Sequence, residues 1–141
     1  MMTLARSVTL LIALVSVASS HALAQPVATL DLSSPEAVAE ILLDVATSGD
    51  ADALSHLCHP DIPPERLDPR ALQICTMTSE HPNFEGFRGM FTGSRLGGDA
   101  EIATTDDLTT ARVPIVNDAD GTQLGFVNAI QYNGLWYLRG F

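Results

Sequence analysis

The sequence predicts an α+β fold, in which N-terminal helices pack on a curled antiparallel sheet of about four to five strands. Three observations lead there. Apolar residues recur at helical spacing after residue 34; from residue 84 the period shortens and turn signals multiply; and Asn133-Gly134, the strongest short hairpin signal available, sits just before the end of the chain. Helices followed by an antiparallel meander define the α+β class. The domain is expected over residues 34–141, behind a short lead-in at 25–33.

The elements follow in order. Ser34 is a capping residue, Pro35 suits the first helical position, and Glu36 suits the positive end of a helix. Val38, Ile41, Leu42 and Val45 then form one apolar stripe, and Gly49 supplies a left-handed stop. Asp50 can cap a second, shorter helix carrying Leu54, Leu57 and Cys58, which Pro60 ends. After a Pro-containing connection at 62–67, Asp68-Pro69 is another cap and first turn. It opens a third helix over 70–77 with Leu72 and Cys75 on one side. Strands are expected at 84–92, 99–104, 109–116, 122–132 and 135–141, with Pro114 marking an edge or a bulge. The turns fall at 106–107, 118–121 and 133–134.

Residues 1–24 read as a secretory signal peptide. Arg6 flanks an apolar run over 8–18, a polar break follows at Ser19-Ser20-His21, and Ala22-Leu23-Ala24 is the triplet that signal peptidase reads. A bilayer-spanning helix needs about 20 apolar residues, so the run is too short for an anchor, and no Cys follows it closely. The expected product begins at Gln25, carries no membrane anchor after processing, and is periplasmic or secreted. It has six arginines, no lysine and seventeen carboxylates, a net charge of −11. Nucleic acid and anionic membranes bind through clustered cations, which this composition lacks, so neither is an expected partner.

Cys58 and Cys75 form an even pair in an exported chain and read as a disulfide. The competing reading is a metal site from His56, Cys58, His59, Cys75 and His81. His59 and His81 each precede a proline, which disfavours helical placement, and no C-x-x-C pair is present. No metal and no cofactor are expected.

Ser34-Pro35-Glu36, Val38, Leu42, Ser48-Gly49-Asp50 and Leu54, together with the ending Gly134-Leu135-Trp136-Tyr137-Leu138, resemble the nuclear transport factor 2-like superfamily. That superfamily shares the cystatin-like α+β roll, and the resemblance covers most of residues 34–141. It implies a cone-shaped pocket between sheet and helices. Members include isomerases, dehydratases, polyketide cyclases, transport factors and exported domains without known activity, so fold alone does not choose a function. This chain departs from the enzymatic members in having no acid–base pair that aligns with theirs, and the helix carrying Cys75 is additional.

Hairpin register assigns strand faces. A two-residue turn at 133–134 places Tyr132 opposite Leu135, Ile130 opposite Tyr137, Asn128 opposite Arg139, and Phe126 opposite Phe141. A four-residue turn at 118–121 then adds Val113 and Ile115 to that face. This heavier apolar face is expected to meet the helices. Asn128 and Arg139 interrupt it, and a guanidinium there needs a partner. It either pairs with a helix carboxylate, Asp44 or Glu40, or lines a ligand pocket with Asn128, Tyr137, Phe126 and Ile130. The opposite face, with Arg112, Val116, Val127, Ala129, Trp136 and Leu138, is read as a homodimer surface or as covered by the third helix or the lead-in. Asp118-Ala119-Asp120-Gly121 lacks calcium-loop ligands at the first and last positions and reads as a turn. No catalytic residue is assigned. The expectation is a domain that binds a small-molecule ligand or an envelope protein partner without catalysis, the alternative being a pocket enzyme of isomerase or dehydratase type. The intact mass of the exported protein should match a chain that starts at Gln25; a mass retaining residues 1–24 would remove the leader reading.

Overall fold

A computed structural model of the chain describes residues 29–141. The leader assigned to 1–24 lies outside the described residues. Helix α1 spans Pro35–Ser48. Ser34 Oγ accepts the Ala37 N–H at 3.1 Å, and Gly49, at φ 76°, closes the other end by donating its N–H to the Val45 carbonyl. A 3₁₀ turn over Asp52–Leu57 follows, with Leu54 and Leu57 buried, and the Asp50 carboxylate accepts the Asp52 N–H at 3.0 Å. A second 3₁₀ turn at Pro64–Arg66 leads into α2, Pro69–Cys75, where Asp68 accepts the Arg70 N–H at 2.8 Å. The face of α2 that turns inward carries Ala71 and Ile74, while Leu72 stays exposed.

The segment expected as a strand at 84–92 is a helix, α3, Phe84–Phe91. Its phenylalanines fall at positions i, i+3 and i+7, a helical stripe, and Phe84, Phe87 and Phe91 are all buried. Ring centroids lie 6.0 Å apart from Phe84 to Phe87 and 5.3 Å from Phe87 to Phe91. That aromatic burial outweighs the helix cost of Gly86 and Gly89, about 1 kcal/mol each. Arg88, on the same helix, donates Nε–H to the Ala46 carbonyl at 2.9 Å, placing a cation at the negative end of α1.

Five strands complete the curled antiparallel half-barrel: β1 Ser94–Leu96, β2 Glu101–Thr105, β3 Leu108–Asn117, β4 Gln123–Tyr132 and β5 Leu135–Gly140. β1 thus falls between the segments expected as strands at 84–92 and 99–104. Both β1 and β2 pair with β3, at opposite ends. Pro114 lies between those two pairings, where its missing N–H interrupts no ladder, and its carbonyl accepts the Gly97 N–H at 2.8 Å. The turns at 106–107, 118–121 and 133–134 form as expected, with Asp106, Asn133 and Gly134 at positive φ. In the middle turn the Thr122 backbone N–H bonds the Asp120 carboxylate and holds it below its ordinary pKa.

Register departs from the expectation at two bulges. On β4, Val116 faces Gln123 but Ile115 faces Gly125, so Leu124 is an extra residue. On β5, Ala129 faces Leu138 but Asn128 faces Gly140, so Arg139 is extra. The pairs Tyr132–Leu135 and Ile130–Tyr137 stand as expected, whereas Asn128–Arg139 is replaced by Asn128–Gly140.

Val113 and Ile115 meet the helices as expected, but the expected sidedness of β4 and β5 is reversed. Val127, Ala129, Trp136 and Leu138, with Ala111, Val113 and Ile115, join Val38, Leu42 and Val45 of α1 and the α3 phenylalanines in the main core. The helices settle on the face where Ala111 and Ala129 lie among Val113, Val127, Trp136 and Leu138. The bulkier Ile130 and Tyr137 lie on the other face. Ile62 and Leu67 from the 59–67 connection cover them there, with Leu32 of the lead-in packed alongside. Around β4 and β5 the sheet is thus buried on both sides, while β2 stays exposed.

Cys58 and Cys75 are joined by a disulfide, which ties the end of the first 3₁₀ turn to the end of α2. Both thiolates are thereby removed from the metal-ligand set considered above. Closing a loop with a sequence separation of 17 contributes about 3 kcal/mol through the unfolded chain. Denaturant titration with and without reductant should show a loss of that order; an unchanged midpoint would contradict it.

Candidate functional site

The site with the most polar chemistry grows from the β5 bulge. Because Arg139 is the extra residue, its carbonyl leaves the ladder and accepts the Asp68 N–H at 2.8 Å. Its side chain turns back, and Nε–H donates to the Arg66 carbonyl at 3.2 Å. Gly140 makes this approach possible: a Cβ there would stand 2.8 Å from Asp68 Cβ. The result is a cleft of about 370 Å³ lined by Glu65, Arg66, Leu67, Asp68, Asn128, Arg139 and Gly140.

Two guanidiniums and an amide face two carboxylates across this cleft, but the carboxylates are not equally available. Asp68 is held as the cap of α2. Glu65 has no such engagement among the described residues. Arg66 reaches Asp107 at 3.7 Å on the surface, with the Asp107 side chain 82% exposed, and such exposed pairs contribute about 0–1 kcal/mol. Arg139 forms no ion pair among the described residues. Asp44 and Glu40 line a different hollow, with Ser94 and Arg95 beside β1.

The five residues expected to share one pocket are distributed. Asn128 and Arg139 come together in the cleft. Ile130 is enclosed in the second core. Phe126 carries the Arg112 guanidinium 3.8 Å above its ring and borders a small hollow at the end of the sheet. Tyr137 borders another hollow, with His56, His59 and Leu32, and its ring meets His59 edge-on at 5.1 Å. His59 also lies against Tyr132 at 4.6 Å, and its Nδ1 accepts the Asp61 N–H at 3.1 Å. The space between α1 and the sheet is filled by Val38, Leu42, Val45, Val113 and Val127.

Sequence reasoning missed the contribution of residues 65–68. Nothing local signals that this connection meets β5; only the close approach that Gly140 permits, some seventy residues away in sequence, brings them together.

The Arg139→Met substitution should therefore cost only about 1 kcal/mol, the usual worth of one hydrogen bond, as read by thermal or urea unfolding. A loss of 3 kcal/mol or more would instead indicate a stranded ion-pair partner. Compared with protein-family models, with curated proteins and with solved structures, the chain has no match.

Proposed function

We propose that this chain is an exported, non-catalytic domain that binds a small ligand bearing a carboxylate or carbonyl group in the Asn128–Arg139 cleft. The observation that carries the reading is the state of Arg139. Its Nε is anchored to a backbone carbonyl, no carboxylate neutralises it among the described residues, and Asn128 stands beside it. A guanidinium held in this way presents its remaining N–H groups to a planar acceptor without first breaking an ion pair, which favours carboxylate recognition. The amide adds one donor and one acceptor for orientation.

Further support comes from the disulfide, which suits an oxidising compartment, and from the leader read at 1–24. We also read the fold as nuclear transport factor 2-like. Helices on a curled antiparallel sheet agree with that superfamily, and the ligand cleft then lies outside the cone-shaped pocket that the resemblance implies.

The enzymatic alternative needs a general base within reach of the same ligand. Asp68 is engaged as a cap, which leaves Glu65 as the base that an isomerase or dehydratase would use. Differential scanning fluorimetry with a panel of small mono- and dicarboxylates, followed by calorimetry on the best stabiliser, tests the proposal. Arg139→Met and Asn128→Ala should each weaken binding by about tenfold or more while the apo protein stays folded. If neither substitution alters the ligand-induced shift, the cleft is not the binding site. Turnover of a bound carboxylate that Glu65→Gln abolishes would favour the enzyme.

A further inference from the structure

A second hollow lies between α2 and α3, and its composition differs from that of the polar cleft. It measures about 570 Å³, within the usual range for small-molecule sites. One wall is the stripe of α2 that carries Arg70, Ile74 and, just beyond the helix, Met77. The other is the stripe of α3 that carries Gly86, Phe87 and Met90. Arg70, Met90 and Phe141 also border a smaller hollow of about 170 Å³ at the end of β4, so the two adjoin.

Three features give this groove a chemical identity. Its walls carry Ile74, Met77, Phe87 and Met90 beside the polar Gln73 and Asn83, and Met90 is 54% exposed, as is Leu124 at the far end. Gly86 occupies a helical position on the wall, and a Cβ there would meet nothing within 4 Å, so a larger side chain at that position projects into the open hollow. Arg70 stands at the junction, and among the described residues its guanidinium takes part in no ion pair and no hydrogen bond.

We propose that this groove binds a free amphiphile with a linear apolar tail and a single anionic head, a long-chain monocarboxylate, with the head on Arg70 and the tail along Met77, Phe87 and Met90. The inference does not rest on the Asn128–Arg139 cleft, which Arg70 does not line. A net charge of −10 opposes docking on an anionic membrane and on a second, equally charged copy, so the occupant is the free molecule.

Decanoate binding, measured by calorimetry on the intact, disulfide-bonded protein, tests this. The carboxylate should bind, 1-decanol should bind at least about tenfold more weakly, and Arg70→Met should bring decanoate down to the alcohol's level. Gly86→Leu, which raises helix propensity while filling the lumen, should abolish binding without lowering the melting temperature. Arg70→Met should weaken decanoate binding more than Arg139→Met does. Equal affinity for acid and alcohol, or a loss with Arg139→Met but not with Arg70→Met, would overturn the proposal. So would retention of the protein by phosphatidylglycerol vesicles, or a wild-type dimer that Met90→Glu dissociates, since either result assigns the groove to another occupant.

Discussion

The approach of α1 to the middle of the sheet is the constraint on which the other contacts depend. It requires short side chains on both surfaces, and Ala39, Ala46, Ala111 and Ala129 are all buried in the one cluster. With α1 seated there, Val38, Leu42 and Val45 fill the space over Val113 and Val127, and α3 lies alongside with its phenylalanines turned inward. Burying apolar area in this way is the main favourable term in folding. Ile130 and Tyr137 are left on the far side, where the 59–67 connection covers them. A bulkier residue at 129 would lift the helix and unsettle both layers.

The second layer in turn explains where the polar chemistry sits. Ile62 and Leu67 anchor the connection over Ile130 and Tyr137, which brings the Arg66 carbonyl and the Asp68 N–H to the β5 bulge. The bulge frees the backbone of residue 139 from the ladder at the point where the connection needs a partner. Satisfying those backbone groups fixes the Arg139 side chain, so a structural requirement leaves a positioned guanidinium facing solvent. The disulfide secures the same region from beneath by joining the residue after Leu57 to the end of α2.

Two kinds of surface result. At β5 the cleft is polar and held by hydrogen bonds to backbone. Between α2 and α3 the groove is of mixed character, with Ile74, Phe87 and Met90 beside Gln73, Asn83 and a single cation. They meet near the end of the chain, where Gly140 belongs to the first and Phe141, packed edge-on against Phe91 at 5.6 Å, belongs to the second. The two hollows are thus divided by a step of a single residue.

By itself the sequence determined the features whose physics is local. Helix ends at Ser34, Gly49 and Asp68 follow from capping; the Asn133-Gly134 turn follows from tolerance of positive φ; and the fold class and the cysteine pairing follow from period and count. The helix at 84–91 was also within reach, since the spacing of Phe84, Phe87 and Phe91 is helical, but the two glycines masked it. Tertiary structure alone decided which face of the sheet turned inward and what surrounds Arg139. The second depends on register, since the extra residue at Arg139 takes it out of the expected pairing; the first does not, because the Ile130–Tyr137 and Tyr132–Leu135 pairs keep the expected register and packing chose their side. Whether a strand bulges is set by what packs against it, here an alanine-lined helix on one face and a distant connection on the other, and no local pattern in β4 or β5 encodes either.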